Sequence, residues 1–254
     1  MSTAERPLRS EQTSSSLRAQ SDPPPLQGGL HGLVIDHLGR QIASGELAAG
    51  QQILPEEVGG RLNVSRTVVR EALRDLQAKG MVLPRPKTGT RVLGVESWNL
   101  LDEQVIGWRV RTSARQQQLR ELMDLRSAVE VAAVRGSCRS ATPEDVGRLT
   151  ACCDSMAVAL QHDDLHAFTE ADIEFHTVLL LASGNLVFRR FIAPFAAVLR
   201  ARDDLDLLPA PVQSSVVESH RELADAIAAG RPDRAVPVAR GLIDHARAEM
   251  GLAP

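Results

Sequence analysis

Apolar residues recur every three or four positions along most of this chain. The runs they define predict helices over residues 30–44, 55–62, 65–79, 99–111, 115–139, 143–161, 163–182, 185–204, 212–229 and 233–251. In the first, Leu30, Val34, Leu38 and Ile42 stand four apart and give one face to a core, and Gly45 is a natural stop. Residues 47–53, with Gly50 among them, read as a turn and a short strand. The helix over 55–62 is weak, because Gly59-Gly60 costs about 2 kcal/mol of helix propensity. Asn63-Val64 makes a turn, and Ser65 is placed to cap the next helix by accepting a backbone N–H of its first turn. In that helix Val68, Ala72, Leu73 and Leu76 fall at core spacing, which leaves Arg66, Thr67, Arg70 and Arg74 outside the apolar stripe. Residues 81–83 and 90–93 alternate as strands around Pro84-Arg85-Pro86-Lys87-Thr88-Gly89 and predict a two-stranded basic hairpin.

Helix, turn, helix and hairpin in that order make a winged helix-turn-helix. From Trp98 onward the pattern is helical, and Thr142-Pro143-Glu144-Asp145 is a strong start signal: a cap, a proline in the first turn, and acids at the positive end of the dipole. With no further alternating runs, the fold class is mainly α: a winged helix-turn-helix followed by an antiparallel bundle of six or seven helices. The expected boundaries are a disordered tail over 1–25, rich in Ser, Pro and Gln, then a DNA-binding unit over 26–94 and a helical unit over 98–251.

Charge sharpens this division. Residues 26–93 carry nine Lys/Arg against six Asp/Glu, whereas 94–254 carry 17 basic and 23 acidic residues. A basic module joined to an acidic one is expected to meet a polyanion with the first alone. At 43% hydrophobic and 24% charged the composition is that of an ordinary soluble globular protein, without a bilayer-length apolar run or an expected secretory leader. Cys138, Cys152 and Cys153 are odd in number and lack metal spacing, which points to buried thiols in a reducing cytoplasm.

Two sets of residues carry candidate chemistry. Arg66, Thr67 and Arg70, at the start of the second helix of the helix-turn-helix, suit base edges and flanking phosphates; the bland alternative is a solvated basic face. Asp172 and His176 share a helix face among apolar neighbours, where a carboxylate and an imidazole must be paired or coordinated. A hydrogen-bonded pair satisfies that demand. So does an oxygen–nitrogen site for zinc, nickel or manganese, completed by histidines from two other helices.

Glu46-Leu47…Gly50…Leu54-Pro55, then Val64-Ser65-Arg66-Thr67…Val69-Arg70-Glu71-Ala72-Leu73, then Gly80-Met81-Val82 and a glycine-containing wing, resembles the GntR family of bacterial transcription regulators. Downstream, Glu121-Leu122…Leu125-Arg126…Glu130, Asp172-Ile173-Glu174-Phe175-His176, Ala182-Ser183-Gly184-Asn185 and His220-Arg221…Gly230 resemble the FadR-type (FCD) effector domain. Trp98-Asn99-Leu100-Leu101-Asp102…Trp108 is similar to the branch that answers to sugar acids such as galactonate. The resemblance implies a cytoplasmic homodimer on a pseudo-palindromic DNA operator, usually a repressor, released by a small carboxylate or sugar-acid effector. By position it makes Arg66, Thr67 and Arg70 DNA contacts, with Thr88 and Gly89 at the wing tip entering the minor groove and Lys87 on a phosphate. It makes Asp172, His176 and His220 metal ligands and Arg126 the partner of the effector carboxylate; an ion pair with Glu130, four residues on, is Arg126's other reading.

Two departures stand out. The family commonly has an arginine shortly after the Leu-Pro, where this chain has the acidic Glu56-Glu57, so that DNA contact is missing. The third metal-binding histidine is replaced by Leu242, with His245 one turn later and Pro237 breaking the helix pattern. Either a kink brings His245 inward, or three protein ligands serve, or no metal binds. An enzyme using the Asp/His set to activate water for hydrolysis is the alternative function, but no phosphate loop, nucleophile elbow or H-E-x-x-H pattern accompanies it. A non-specific architectural DNA protein is disfavoured by the long acidic bundle. RNA stacking is disfavoured by the absence of tyrosine.

Overall fold

The computed structural model describes residues 29–85, 89–205, 207 and 214–252. The expected tail, and Lys87 and Thr88 of the wing, lie outside them. Helix α1 (Gly29–Ser44) packs on α3 (Arg66–Ala78), with α2 (Pro55–Leu62) bridging to it. Strands β1 (Gln52–Ile53), β2 (Val82–Arg85) and β3 (Gly89–Val92) form an antiparallel sheet in the order β1-β3-β2. The hairpin is thus three-stranded rather than two-stranded, because Gln52 pairs with Arg91 and Ile53 with Thr90. Val34, Leu38, Ile42, Val69, Ala72, Leu73 and Leu76 fill the core beneath. Two positions differ from the apolar pattern: Leu30 is 59% exposed, and in α3 Val69 is buried where Val68 is only half-buried. Leu30 stands in the first turn of α1, outside the buried core.

The helical remainder comprises α4 (Glu103–Arg109), α5 (Arg115–Ser140), α6 (Pro143–Gln161), α7 (Leu165–Ala182), α8 (Ile192–Asp204), α9 (Ser214–Ala228) and α10 (Pro232–Glu249). Thr142 and Asp145 complete a reciprocal capping box at the start of α6. Residues 185–204 do not form one helix: a 3₁₀ segment (Phe188–Phe191) precedes α8. Helix α7 is the central element, packed by α6, α5 and α8. It approaches α5 closely, since a Cβ on Gly136 would lie 2.6 Å from the Ser183 carbonyl oxygen, and Ser137 Oγ donates to Leu179 O across the gap at 3.0 Å. Asp172 and His176 therefore sit at the middle of the bundle. No described helix is long and apolar enough to cross a membrane.

Helix α4 belongs to both cores. Val105 and Trp108 close the α1/α3 core, while Ile106 and Val110 pack with Val198 and Ala201 of α8. Trp108 Nε1 donates to Asp36 Oδ1 at 2.9 Å, and its ring fills the space a side chain at Gly39 would need. Lys79, the cap residue at the end of α3, donates to Asp102 Oδ2 at 2.7 Å, and Asp102 itself caps α4.

Candidate DNA-reading face and metal-binding cavity

Helix α3 starts where the sequence places it. Asn63 takes a left-handed conformation at φ 52°, and the Ser65 hydroxyl accepts from the Val68 N–H at 3.3 Å. Arg66, Thr67 and Arg70 are all exposed on the first turns, with Arg74 one turn on. Arg70, Arg74 and Gln77 line a groove whose other wall is Leu54, Glu56 and the wing residues Gly89 and Thr90. Arg66 has a partner: its Nη1 lies 3.3 Å from Glu56 Oε1. Gly89 adopts φ +86°, and a Cβ there would meet Leu54 Cδ2 at 2.9 Å, so backbone geometry and packing at the wing root already demand a glycine.

In the bundle, α7 and α9 bring Asp172, His176 and His220 together, all three buried, with ligand-type atoms within 4.8 Å of one another. His176 Nε2 and His220 Nε2 lie 3.2 and 3.1 Å from the same oxygen, Asp172 Oδ1. His220 Nδ1 is 2.8 Å from Val216 O, a carbonyl that only accepts, so Nδ1 carries the hydrogen. In the neutral ring Nε2 is then a lone pair facing a carboxylate oxygen. That opposition of two acceptors is relieved by a proton or by a metal cation, and an outward N–H fixed on a backbone carbonyl is how metal-binding histidines are commonly oriented. The donor set therefore fits a divalent metal.

Sequence reasoning weighed Glu130 only as a partner for Arg126 and missed Arg202. Arg126 Nε donates to Glu130 Oε1 at 2.9 Å, and Glu130 Oε2 lies 3.1 Å from His176 Nδ1. Arg126 thus makes the ion pair, and its Nη1 is left buried without a hydrogen-bond partner. Arg202, from the last turn of α8, donates to Asp172 Oδ2 at 2.9 Å and to Glu249 Oε2 at 3.1 Å. No local spacing signals Arg202, because its partners lie 30 and 47 residues away.

Burial raises the Asp172 carboxyl, but the hydrogen bond from His176 and the charge of Arg202 outweigh it and hold the group well below the carboxylate range. Burial likewise opposes ionisation of Glu130, and Arg126 and His176 overcome it. Burial lowers His176, and the Glu130 carboxylate more than restores it, leaving a raised value. Glu249 is pushed up by burial, which Arg202 offsets only in part. Arg126, Asp172, His176, Arg202, His220 and Glu249, with Phe168, Val216 and Leu242, line a small cavity of about 20 Å³, room for an ion or one water. Leu242 is buried in that wall, where it offers no ligand. His245 also lines it, half-buried, with Nε2 3.2 Å from Glu249 Oε1, and does not join the cluster of three.

Comparison with known proteins agrees with both halves. The model for bacterial regulatory proteins of the gntR family matches residues 31–92, and that for the FCD domain matches residues 121–245. The chain is 32% identical over 174 residues to the HTH-type transcriptional regulator YieP of Escherichia coli, covering 68% of this chain and 75% of that one. It is 26% identical over 196 residues to the galactonate operon transcriptional repressor of the same organism, covering 76% and 85%. A solved structure of Lar, which controls the Listeria monocytogenes agr system, superposes with a TM-score of 0.62 at 16% identity, covering 87% of this chain and 96% of that one, and shows the shared fold. With a winged helix-turn-helix reading head and a helical effector domain behind it, the chain belongs to the GntR family of transcription regulators.

Proposed function

We propose that this protein is a ligand-controlled repressor that acts in the cytoplasm as a homodimer on a pseudo-palindromic DNA operator. The observation that carries the reading is the first turn of α3, where Arg66, Thr67 and Arg70 stand in solvent around a capped helix start while the opposite stripe is buried. These three side chains contact base edges and phosphates, and Lys87, Thr88 and Gly89 bring the wing to the flanking minor groove. The DNA-binding unit ends near residue 94 and the effector unit spans 98–251.

Asp172, His176 and His220 would hold a divalent metal, zinc, nickel or manganese, with three protein ligands. When bound, the metal supplies a Lewis-acidic anchor for a small carboxylate or sugar acid. Arg126 Nη1, buried and without a partner, meets the acid's carboxylate. Two relatives support an effector of this kind by name, the galactonate operon transcriptional repressor and an L-lactate dehydrogenase operon regulatory protein. The relatives are named as regulators and give the hydrolase alternative no support, and Glu130 and Glu249, the carboxylates beside the histidines, are each paired with an arginine.

Occupancy reaches the reading head through α8 and α4. Arg202 ties α8 to Asp172, α8 packs on Ile106 and Val110, and the opposite face of α4 holds α1 through Trp108 and α3 through Asp102–Lys79. An effector that favours one seating of α8 shifts the dimer towards a geometry whose two α3 helices no longer match successive major grooves. Selection of bound duplexes from a random library, followed by footprinting, tests the function. Enrichment of an inverted repeat with half-sites about one helical turn apart is expected. Recovery without any shared sequence contradicts it.

A further inference from the structure

The acidic start of α2 is unusual for a surface that faces a polyanion. Glu56 and Glu57 both lie in the first turn of α2, where a carboxylate favours the positive end of the helix dipole. That role would be met by either. Glu57 makes no ion pair among the described residues, whereas Glu56 is turned towards α3 and sits 3.3 Å from Arg66. The spacing of the two helices sets this pair. A Cβ on Gly59 would lie 2.9 Å from the Val64 carbonyl oxygen, so α2 rests directly on the turn that launches α3. Glu56 also lines the groove that Arg70 and Arg74 share with the wing, which places a negative charge inside the reading face.

A carboxylate in that position repels phosphate and engages a guanidinium that would otherwise swing to the backbone. We propose that Glu56 is a specificity-determining residue of the DNA-reading face: it positions Arg66 towards the base edges and withholds it from phosphate. The proposal rests on the DNA-reading function given above. The pair is solvent-exposed, with side chains 70% and 48% accessible, so it yields to an uncharged base edge, while the Glu56 charge repels a phosphate competing for the same guanidinium. Arg66 thereby contributes more to discrimination between sequences than to affinity for duplex in general.

The test uses the full-length protein and compares Glu56→Ala with Glu57→Ala, which removes the same charge from the same helix turn but no arginine partner. Affinity is measured for a duplex enriched from a random library and for a scrambled duplex of equal length, each across a range of salt. Thermal melting confirms that both variants are folded. For Glu56→Ala the ratio of the two affinities is expected to fall about tenfold, the loss expected when one base pair ceases to be read. On scrambled duplex the log–log salt slope is expected to steepen by about one, as Arg66 gains a phosphate. Glu57→Ala is expected to keep the wild-type ratio. A wild-type ratio and slope in Glu56→Ala overturn the proposal, and so does an equal change in both variants, which would make the effect one of net charge. Failure of the wild-type protein to distinguish the duplexes would instead bring down the DNA-reading function, and this inference with it.

Discussion

Arginine serves two opposite purposes in the two halves of this molecule. In the reading head Arg66 and Arg70 project into solvent, and the ion pair that Arg66 makes with Glu56 is accessible to water. In the bundle Arg126 and Arg202 are buried and face Glu130, Asp172 and Glu249 at 2.9–3.1 Å. An exposed pair contributes at most about 1 kcal/mol and yields easily to a competing partner. A buried pair broken on one side leaves an uncompensated charge and costs about 3–5 kcal/mol. The contrast separates residues offered to a ligand outside the fold from residues that hold a polar interior together.

The largest effect is therefore expected from the buried side. Glu130→Ala strands Arg126 and removes a neighbour of His176, and is expected to lower unfolding free energy by about 3–5 kcal/mol in a urea titration. A loss below about 1 kcal/mol would show that the interior tolerates the unpaired guanidinium. Next comes the metal. Zinc at a hundredfold excess over its Kd is expected to stabilise the chelator-stripped protein by about 2.7 kcal/mol, and His220→Ala to abolish the gain. Equal stabilisation of wild type and variant would place the zinc elsewhere.

Smaller effects probe the seam between the halves and the bundle's local signals. Gly39→Ala drives a methyl into the Trp108 ring and is expected to cost about 1–3 kcal/mol by overpacking; an unchanged melting temperature would mean that α1 and α4 can separate freely. Thr142→Ala removes the α6 cap at a cost of about 1 kcal/mol. That cap also depends on pH. Hydrogen bonds from the Thr142 backbone and side chain lower the pKa of Asp145, so its contribution is complete above the group's unfolded value and is lost as pH falls through the depressed folded one. The stability gap between wild type and Thr142→Ala is therefore expected to narrow on acidification through the carboxylate range, and a gap that widens there would contradict the assignment.

What was legible in the sequence follows the range of the interactions. The Ser65 and Thr142 caps act over three residues, and both stand where local chemistry placed them. Asp172 and His176 are one turn apart, so their common face could be read directly, and the resemblance supplied His220. The errors arose where tertiary packing decides. Val69 rather than Val68 is buried because α1 sets which stripe of α3 turns inward, and Leu30 in the first turn of α1 is left outside that core. Strand β1 joins the hairpin through a pairing 39 residues apart, at Gln52 and Arg91. Arg202 could not be seen at all, since only the packing of α8 on α7 and α10 gives it partners. The two faces of α4 were equally hidden: a seven-residue helix shared between two cores has too few turns to show a single apolar stripe.

The most direct test of the central claim is the affinity of Arg70→Ala for a library-selected duplex, measured beside the melting temperature of the same protein. The expected result is binding weaker by about 1–3 kcal/mol with stability essentially unchanged, because the side chain is exposed and spends its charge on DNA. Wild-type affinity in this variant would contradict the reading of α3 as the element that recognises DNA.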